Sequence, residues 1–253
     1  MMSQAVTQQP SRRSPGATEM NWVGTPTAYR AQGSLDGTET GKIYAGLEIL
    51  RHTDQVTVQQ TVETVGAGCD VTNTYLMTNK ENEQLFQAIE GASCCGRFWC
   101  GPARPLRLAL RDKLGNDVIH VVRPLRCDAC CCPCCMMGVM VQTPNGEVIG
   151  YVKQTWSFFG ATFKIEDADK TPLMTLWTSC CPCRCRTDIE VQVWKLSDDG
   201  MGLIRKQWGG RRQDINMDHE TFTIQFPPGC DIKCKVLLIG AAFLMDLMFF
   251  EMT

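Results

Sequence analysis

The strongest chemical signal in the chain is a run of cysteines, Arg123-Pro124-Leu125-Arg126-Cys127-Asp128-Ala129-Cys130-Cys131-Cys132-Pro133-Cys134-Cys135-Met136-Met137. Adjacent cysteines rarely bond to one another, because a disulfide needs a particular Cα separation and side-chain direction. Zinc could be held by Cys127-x-x-Cys130 with Cys132-x-x-Cys135 as tetrahedral thiolates, although the two pairs lack the usual intervening loop. Alternatively the thiols are acylated. Basic residues just before them and a Met/Val-rich stretch just after would set the loop at a membrane surface, and several acyl chains anchor durably where one does not. Unmodified thiols are the third reading. Cys180, Cys181, Cys183 and Cys185 suit either of the first two.

Enzyme signatures are missing. There is no G-x-S-x-G, no H-E-x-x-H and no P-loop, and Gly66-Ala67-Gly68 lacks the third glycine of a dinucleotide loop. His52, His120 and His219 fall in different hairpins, so no catalytic histidine stands out.

The elements that must position the cysteines are strands. Val56-Thr57-Val58 and Val118-Ile119-His120-Val121-Val122 are β-branched, while Ile189 to Trp194 and Phe222 to Phe226 alternate apolar and polar residues. Polar breaks separate such runs: His52 to Gln55, Asn79 to Glu83, Leu114 to Asp117, Pro144-Asn145-Gly146, Asp167 to Thr171 and Asp198-Asp199-Gly200. Asn-Gly and Asp-Gly favour hairpins because both residues reach positive φ. Six breaks imply six hairpins and about twelve strands, which must close to remove their edges. A weak repeat supports a meander with a cysteine-bearing rim loop. Cys131-Cys132-Pro133-Cys134 and Cys180-Cys181-Pro182-Cys183 each precede a strand, a turn, a strand and a Lys-Gln pair, and Cys94-Cys95 heads a similar block.

The segment Val236 to Phe250 is rich in Leu, Met and Ala, which favour helix. Apolar on all sides, it is either a core helix or a membrane span. At 1.5 Å per residue it reaches roughly 22 Å, short of the hydrocarbon core at about 30 Å. Asp246 would add about 2.5–3.5 kcal/mol to insertion. A β-barrel around this helix satisfies these constraints, and the membrane span stays open beside it.

Composition bounds the rest. The chain has 253 residues, 25 Lys+Arg against 27 Asp+Glu, and a net charge of −2, so it lacks the basic field of a dedicated nucleic-acid binder. At 44% hydrophobic it can build a sizeable core. Its 16 cysteines are even in number, but the length and the polar start MMSQAVTQQPSRRS point to a reducing compartment rather than a secreted disulfide scaffold. Residues 1–40, rich in Ser, Thr, Gln, Gly and Pro, are expected to be a disordered tail, and residues 41–253 one folded domain with its central helix at 236–250.

RPLRCDACCCPCC, GYVKQTW and IQFPPGCDIKCKVLLIGAAFLMDLMFFE together resemble the phospholipid scramblase family, from about Ala45 to Glu251. The resemblance implies a mainly β, Tubby-like fold: a closed twelve-stranded antiparallel barrel around a C-terminal hydrophobic helix. It also implies calcium-responsive, ATP-independent, bidirectional movement of phospholipids between membrane leaflets. Palmitate would sit on Cys130, Cys131, Cys132, Cys134 and Cys135, at the cytoplasmic face of the plasma membrane. The family's calcium segment matches Asp218 to Gly229, so the ligands would be Asp218 and Glu220 with oxygens at Phe222, Ile224 and Phe226. As an EF-hand the segment is poor, with Thr223 where glycine belongs and Gly229 where a bidentate acid belongs. The family's Pro-rich arm is reduced to Pro10, Pro15 and Pro26, and its basic nuclear signal to Arg205 and Lys206, which also read as a strand edge. The alternative to translocation is a palmitoyl-anchored module whose barrel binds phosphoinositides or other proteins.

Overall fold

Alternation of inward apolar and outward polar side chains runs through the strands. On Ile189–Lys195, Val191 and Val193 are buried while Glu190 and Gln192 are exposed. The computed structural model describes residues 46–62, 73–91, 105–124, 136–157, 160–179, 188–197, 200–207 and 221–249. The expected tail, residues 1–40, lies outside them. Twelve strands follow in order: β1 Gln55–Val62, β2 Asn73–Thr78, β3 Gln84–Glu90, β4 Leu106–Arg111, β5 Asp117–Arg123 and β6 Gly138–Gln142; then β7 Val148–Thr155, β8 Gly160–Asp167, β9 Pro172–Ser179, β10 Ile189–Lys195, β11 Met201–Gln207 and β12 Thr221–Gln225. Each pairs antiparallel with its sequence neighbour, and β1 pairs with β12, closing the barrel.

The expected strand count is right, but one break is not a hairpin. Five of the six polar breaks join consecutive strands. The first, His52 to Gln55, instead leads into β1, whose residues Gln55 and Val56 pair with Gln225 and Ile224. The sixth pair is therefore formed by the two ends of the barrel sequence.

Four of the tight turns share one device. The side-chain oxygens of Asn79, Asp112, Thr143 and Asp167 each accept the amide of the residue four positions on, at 2.8–3.1 Å. A polar side chain thus substitutes for backbone at the bend. Gly115 and Gly146 complete two of these turns with φ of 84° and 88°, where a side chain would be strained.

Through the barrel runs α1, Ile232–Phe249. It starts four residues before the expected Val236, because Asp231 caps it: Asp231 Oδ1 accepts the Cys234 amide at 2.8 Å. Val236, Leu237, Leu238 and Ile239 are all fully buried, so every side of the helix faces the wall. α1 lies against β6 and β7, where small residues admit it. A Cβ on Gly240 would stand 2.6 Å from Val141 Cγ2, and one on Gly150 would meet Leu237 Cδ2 at 2.9 Å. On the far side an apolar crevice remains between the helix and β10–β12, lined in part by Val191, Ile204, Phe222 and Met245. Phe243 bridges this interior, edge-on to Tyr75 at 5.1 Å and to Phe222 at 5.9 Å between ring centroids.

Candidate functional site

Antiparallel order gives the barrel two unlike ends. At one end lie the tight turns after β2, β4, β6, β8 and β10, together with the start of α1. At the other lie the strand ends that flank residues 63–72, 92–104, 125–135, 180–187 and 208–220, and the end of α1. Fourteen of the sixteen cysteines fall in the first four of these connections, residues 208–220 carrying none; Cys230 and Cys234 are the exceptions. The repeat seen in the sequence is thus a rule of the fold: cysteine-bearing connections join strand pairs at one end only.

Cys130, Cys131, Cys132, Cys134 and Cys135, the expected acylation sites, lie outside the described residues, as do the zinc alternatives Cys127 and Cys180 to Cys185. What is described is their frame. Arg123 ends β5, and Met136 and Met137 lead into β6, so the connection leaves and re-enters at the helix's C-terminal end. Both methionines are buried, and Met137 is bonded to Gln154 through amide and carbonyl at 3.2 and 2.8 Å. Among the described residues no group of three His, Cys, Asp or Glu side chains is placed to hold a metal.

Of the expected calcium segment, Asp218 and Glu220 lie outside the described residues, while Phe222, Ile224 and Phe226 are described. Phe222 and Ile224 are in β12, in register with Val58 and Val56 on one side and Lys206 and Ile204 on the other. All three side chains are buried, and the Phe226 amide donates to Asp54 O at 2.9 Å. Phe222 and Phe226 stand roughly 13 Å apart along an extended chain. Calcium holds its oxygens at about 2.3–2.6 Å, so these two carbonyls cannot share an ion. The described part of the segment is a ladder strand and does not fit a chelating loop.

Two charges lie inside the barrel on the helix. Lys235, near its start, is 4% exposed and donates to the carbonyl oxygens of Leu50, Arg51 and Thr53 at 2.8, 3.3 and 2.9 Å. That matches all three ammonium hydrogens and fastens the 3-10 turn Glu48–His52 to the helix. Asp246, near the helix end, is 2% exposed; it faces Lys206 Nζ at 3.7 Å and accepts from Tyr75 Oη at 3.4 Å. The strand-edge reading of the Arg205–Lys206 pair fails, because β11 is paired on both sides within a closed barrel. Arg205 points outward to Glu190 at 2.7 Å, and Lys206 points inward. Neither interior contact was foreseen from the sequence, where Asp246 counted only as an obstacle to membrane insertion.

His120 belongs to a structural chain. Arg107 can only donate, so His120 Nδ1, 3.4 Å away, accepts and Nε2–H donates to Asp117 Oδ2 at 3.0 Å. Asp117 also accepts Arg111 Nε at 2.8 Å, and that hydrogen bond, with His120, holds its carboxyl below the usual range despite partial burial. The chain of contacts clamps β4 to β5.

The barrel is the reverse of a membrane-spanning one. Charged and polar side chains such as Glu190, Gln192, Arg205 and Gln225 face outward, and the apolar faces point in at α1. No described helix is long and apolar enough to cross a bilayer.

A closed twelve-stranded barrel plugged by its own C-terminal helix is the architecture that the resemblance implied. The scramblase family model matches residues 37–252. The chain belongs to the scramblase family. It is 38% identical over 211 residues to human phospholipid scramblase 1, covering 82% of this chain and 66% of that protein, a little under two thirds of its length. Bovine phospholipid scramblase 2 is likewise 38% identical, with 82% and 72% covered. Human phospholipid scramblase family member 5 is 35% identical over 209 residues, with 81% and 77% covered. No solved structure matches the chain.

Proposed function

We propose that this scramblase-family chain moves phospholipids in both directions between the leaflets of a membrane, in response to calcium and without ATP. The observation that carries this reading is the family match across 37–252, which spans the whole barrel and helix. Translocation makes and breaks no covalent bond; it lowers the barrier to desolvating a charged headgroup in hydrocarbon. The chain is held at the cytoplasmic face of the plasma membrane by palmitoyl thioesters on Cys130, Cys131, Cys132, Cys134 and Cys135. Supporting the anchor are the close clustering of the five thiols and the basic residue Arg126 before them, whereas Arg123, Met136, Met137 and Val139 are buried in the barrel and give it no membrane-facing flank. Calcium acts through Asp218 and Glu220, the acids beside the start of β12, and not through a loop made of the strand itself.

A specific observation favours a second reading. α1 is the only long apolar segment among the described residues, and it is consumed by the barrel, which leaves it no lipid-facing surface. A lipid-anchored module that binds phosphoinositides or proteins would use the same anchor and need no path for a headgroup.

The deciding experiment reconstitutes the purified protein in vesicles carrying fluorescent lipid in the inner leaflet, with calcium from micromolar to millimolar. The expected result is calcium-dependent loss of asymmetry that Asp218→Ala abolishes. Absence of flux at every calcium level, with membrane binding intact, would leave the anchored module. For the anchor, hydroxylamine should release the native protein to the soluble fraction, because it cleaves thioesters; about one zinc per chain with no acyl mass would contradict it.

A further inference from the structure

One side of the outer wall breaks the polar rule that the rest of it follows. Among the described residues seven large apolar side chains are exposed, and four of them stand together on β9–β11: Trp177 at 37%, Trp194 at 36%, and Leu196 and Met201 at 58%. Register explains the grouping. Trp177 lies opposite Gln192, while Trp194, two residues further on and facing the same way, lies opposite Thr175 and Met201. The two tryptophans are therefore diagonal neighbours, about 7–8 Å apart. Leu196 takes the next outward position, its amide donating to Leu173 O at 3.0 Å, and half-buried Leu203 follows Met201 on the same face of β11.

Trp177 is held in place rather than swinging in solvent. A Cβ on Gly160 would stand 2.9 Å from its Nε1 and 3.2 Å from its Cε2, so the indole lies across the bare backbone of β8. Gly160 pairs with Ser179 at the cysteine end, so the stripe runs lengthwise from there to Leu196 at the turn end. Its border is cationic. Two outward acids flank it, and each is already paired, Glu190 with Arg205 at 2.7 Å and Glu166 with Lys153. Lys164, exposed and opposite Thr175, has no ion-pair partner among the described residues. The outward positions of β9 between these groups carry no charge.

We propose that this stripe is the face on which the barrel lies against an anionic phospholipid surface, its axis along the membrane and the Trp177 and Trp194 rings at headgroup depth. The proposal rests on the membrane attachment argued above and adds the surface that makes the contact. Exposed apolar patches mark either protein or membrane contacts, and three features favour lipid here. Tryptophan, apolar with one polar N–H, belongs at a membrane–water interface. A closed barrel offers neither a free edge for strand addition nor a groove for a helix, the two commonest ways of capturing a peptide, and its convex wall suits a deformable surface. The unpaired Lys164 beside the stripe complements anionic headgroups. Two rings and one ammonium orient an anchored barrel without holding it alone, so hydroxylamine still releases the protein from washed membranes.

The full chain is treated with hydroxylamine, so that no acyl group tethers it, and titrated with excess phosphatidylcholine vesicles with and without phosphatidylserine. Lipids brominated near the headgroup end of the acyl chain should quench its tryptophan fluorescence more than lipids brominated near the tail, and binding should tighten with phosphatidylserine. Trp177→Thr combined with Trp194→Thr should sharply lower both binding and quenching; threonine suits an outward strand position, and the urea midpoint checks the fold. Lys164→Glu leaves every tryptophan in place and should weaken binding to phosphatidylserine vesicles at least about fivefold. Native protein that is not quenched at any lipid excess, or variants that bind as the native chain does, would overturn the proposal. So would dimers in vesicle-free sedimentation that the double variant dissolves, because the stripe would then join two copies of the chain. Failure here is distinguishable from failure of the translocation reading, which is judged by flux through the acylated native chain and does not enter this binding assay.

Discussion

Lys235 Nζ donates to the carbonyl oxygen of Leu50 at 2.8 Å, joining residues 185 positions apart at the floor of the barrel. Together with the bonds to Arg51 and Thr53 it turns a buried charge into a fastener between the segment that enters the barrel and the helix that fills it. The ring of Phe226, 5.4 Å from the ammonium, covers another side. A charge in an apolar core is tolerated when its hydrogen bonds are complete, and removing one side of such an arrangement costs more than the arrangement gains.

Lys235→Met keeps the aliphatic stem but leaves three carbonyl oxygens without that donor. Its expected cost is about 2–4 kcal/mol, read as a lower urea midpoint at unchanged m-value. A chain ending at Lys235 should not fold at all, because the inward faces of all twelve strands would lose their partner. Cooperative unfolding of that truncated chain would contradict the packing described above.

Close approach of the helix to β6 and β7 rests on two glycines, and they should not respond equally. Gly150→Ala sets a methyl against the Glu166 carbonyl, backbone that cannot yield, and against the Leu237 side chain, and should cost about 1–3 kcal/mol. Gly240→Ala meets only a Val141 methyl, and it gains about 1 kcal/mol of helix propensity. Thermal midpoints should therefore fall clearly for the first and little for the second.

These features were unequally legible in the sequence. Alternation in Ile189 to Trp194 and the turn chemistry around Gly115 and Gly146 are local, and the strand count follows from them. Pairing of Val56 with Ile224 has no local signal: no turn joins β1 to β12, so the closing pair was mistaken for a hairpin at His52. The helix start was placed late because Lys233 and Lys235 interrupt the apolar run; only the fold supplies the carbonyls that let Lys235 be buried. The partners of Asp246 were hidden for the same reason, since Tyr75 and Lys206 come to it from distant strands. The cysteine cluster stood out as composition, yet its chemistry lies with residues 125–135, outside the described part, and only the placement of the flanking strand ends at Arg123 and Gly138 was gained.

Acid should loosen the turn end first. Side-chain and backbone hydrogen bonds from Asn116 lower Asp112, and the Arg111 hydrogen bond lowers Asp117. For Asp167, burial opposes the shift, but the Thr171 amide and Lys233 outweigh it. A carboxyl lowered on folding stabilises above its unfolded value, near pH 3.9, and that contribution is lost as pH falls through the folded value. Protection of the amides of Leu114 to Asn116 and Asp169 to Thr171, measured against the intrinsic exchange rate at each pH, should therefore fall below about pH 4, ahead of global unfolding. Asp117→Asn should lower stability at pH 7 and flatten the acid limb of the stability curve.

Whether α1 stays inside the barrel on a membrane is the central question, and lipid-phase photolabelling answers it. The native protein, bound to vesicles containing a lipid with a carbene-forming group on its acyl chain, is illuminated and its peptides are mapped by mass spectrometry. With the helix as the barrel's core, residues 236–249 should carry no lipid adduct, and the amides of Leu237 to Leu244 should exchange as slowly as in solution. Adducts along that helix on membrane-bound, still folded protein would show that it leaves the barrel for the bilayer, and would contradict the account.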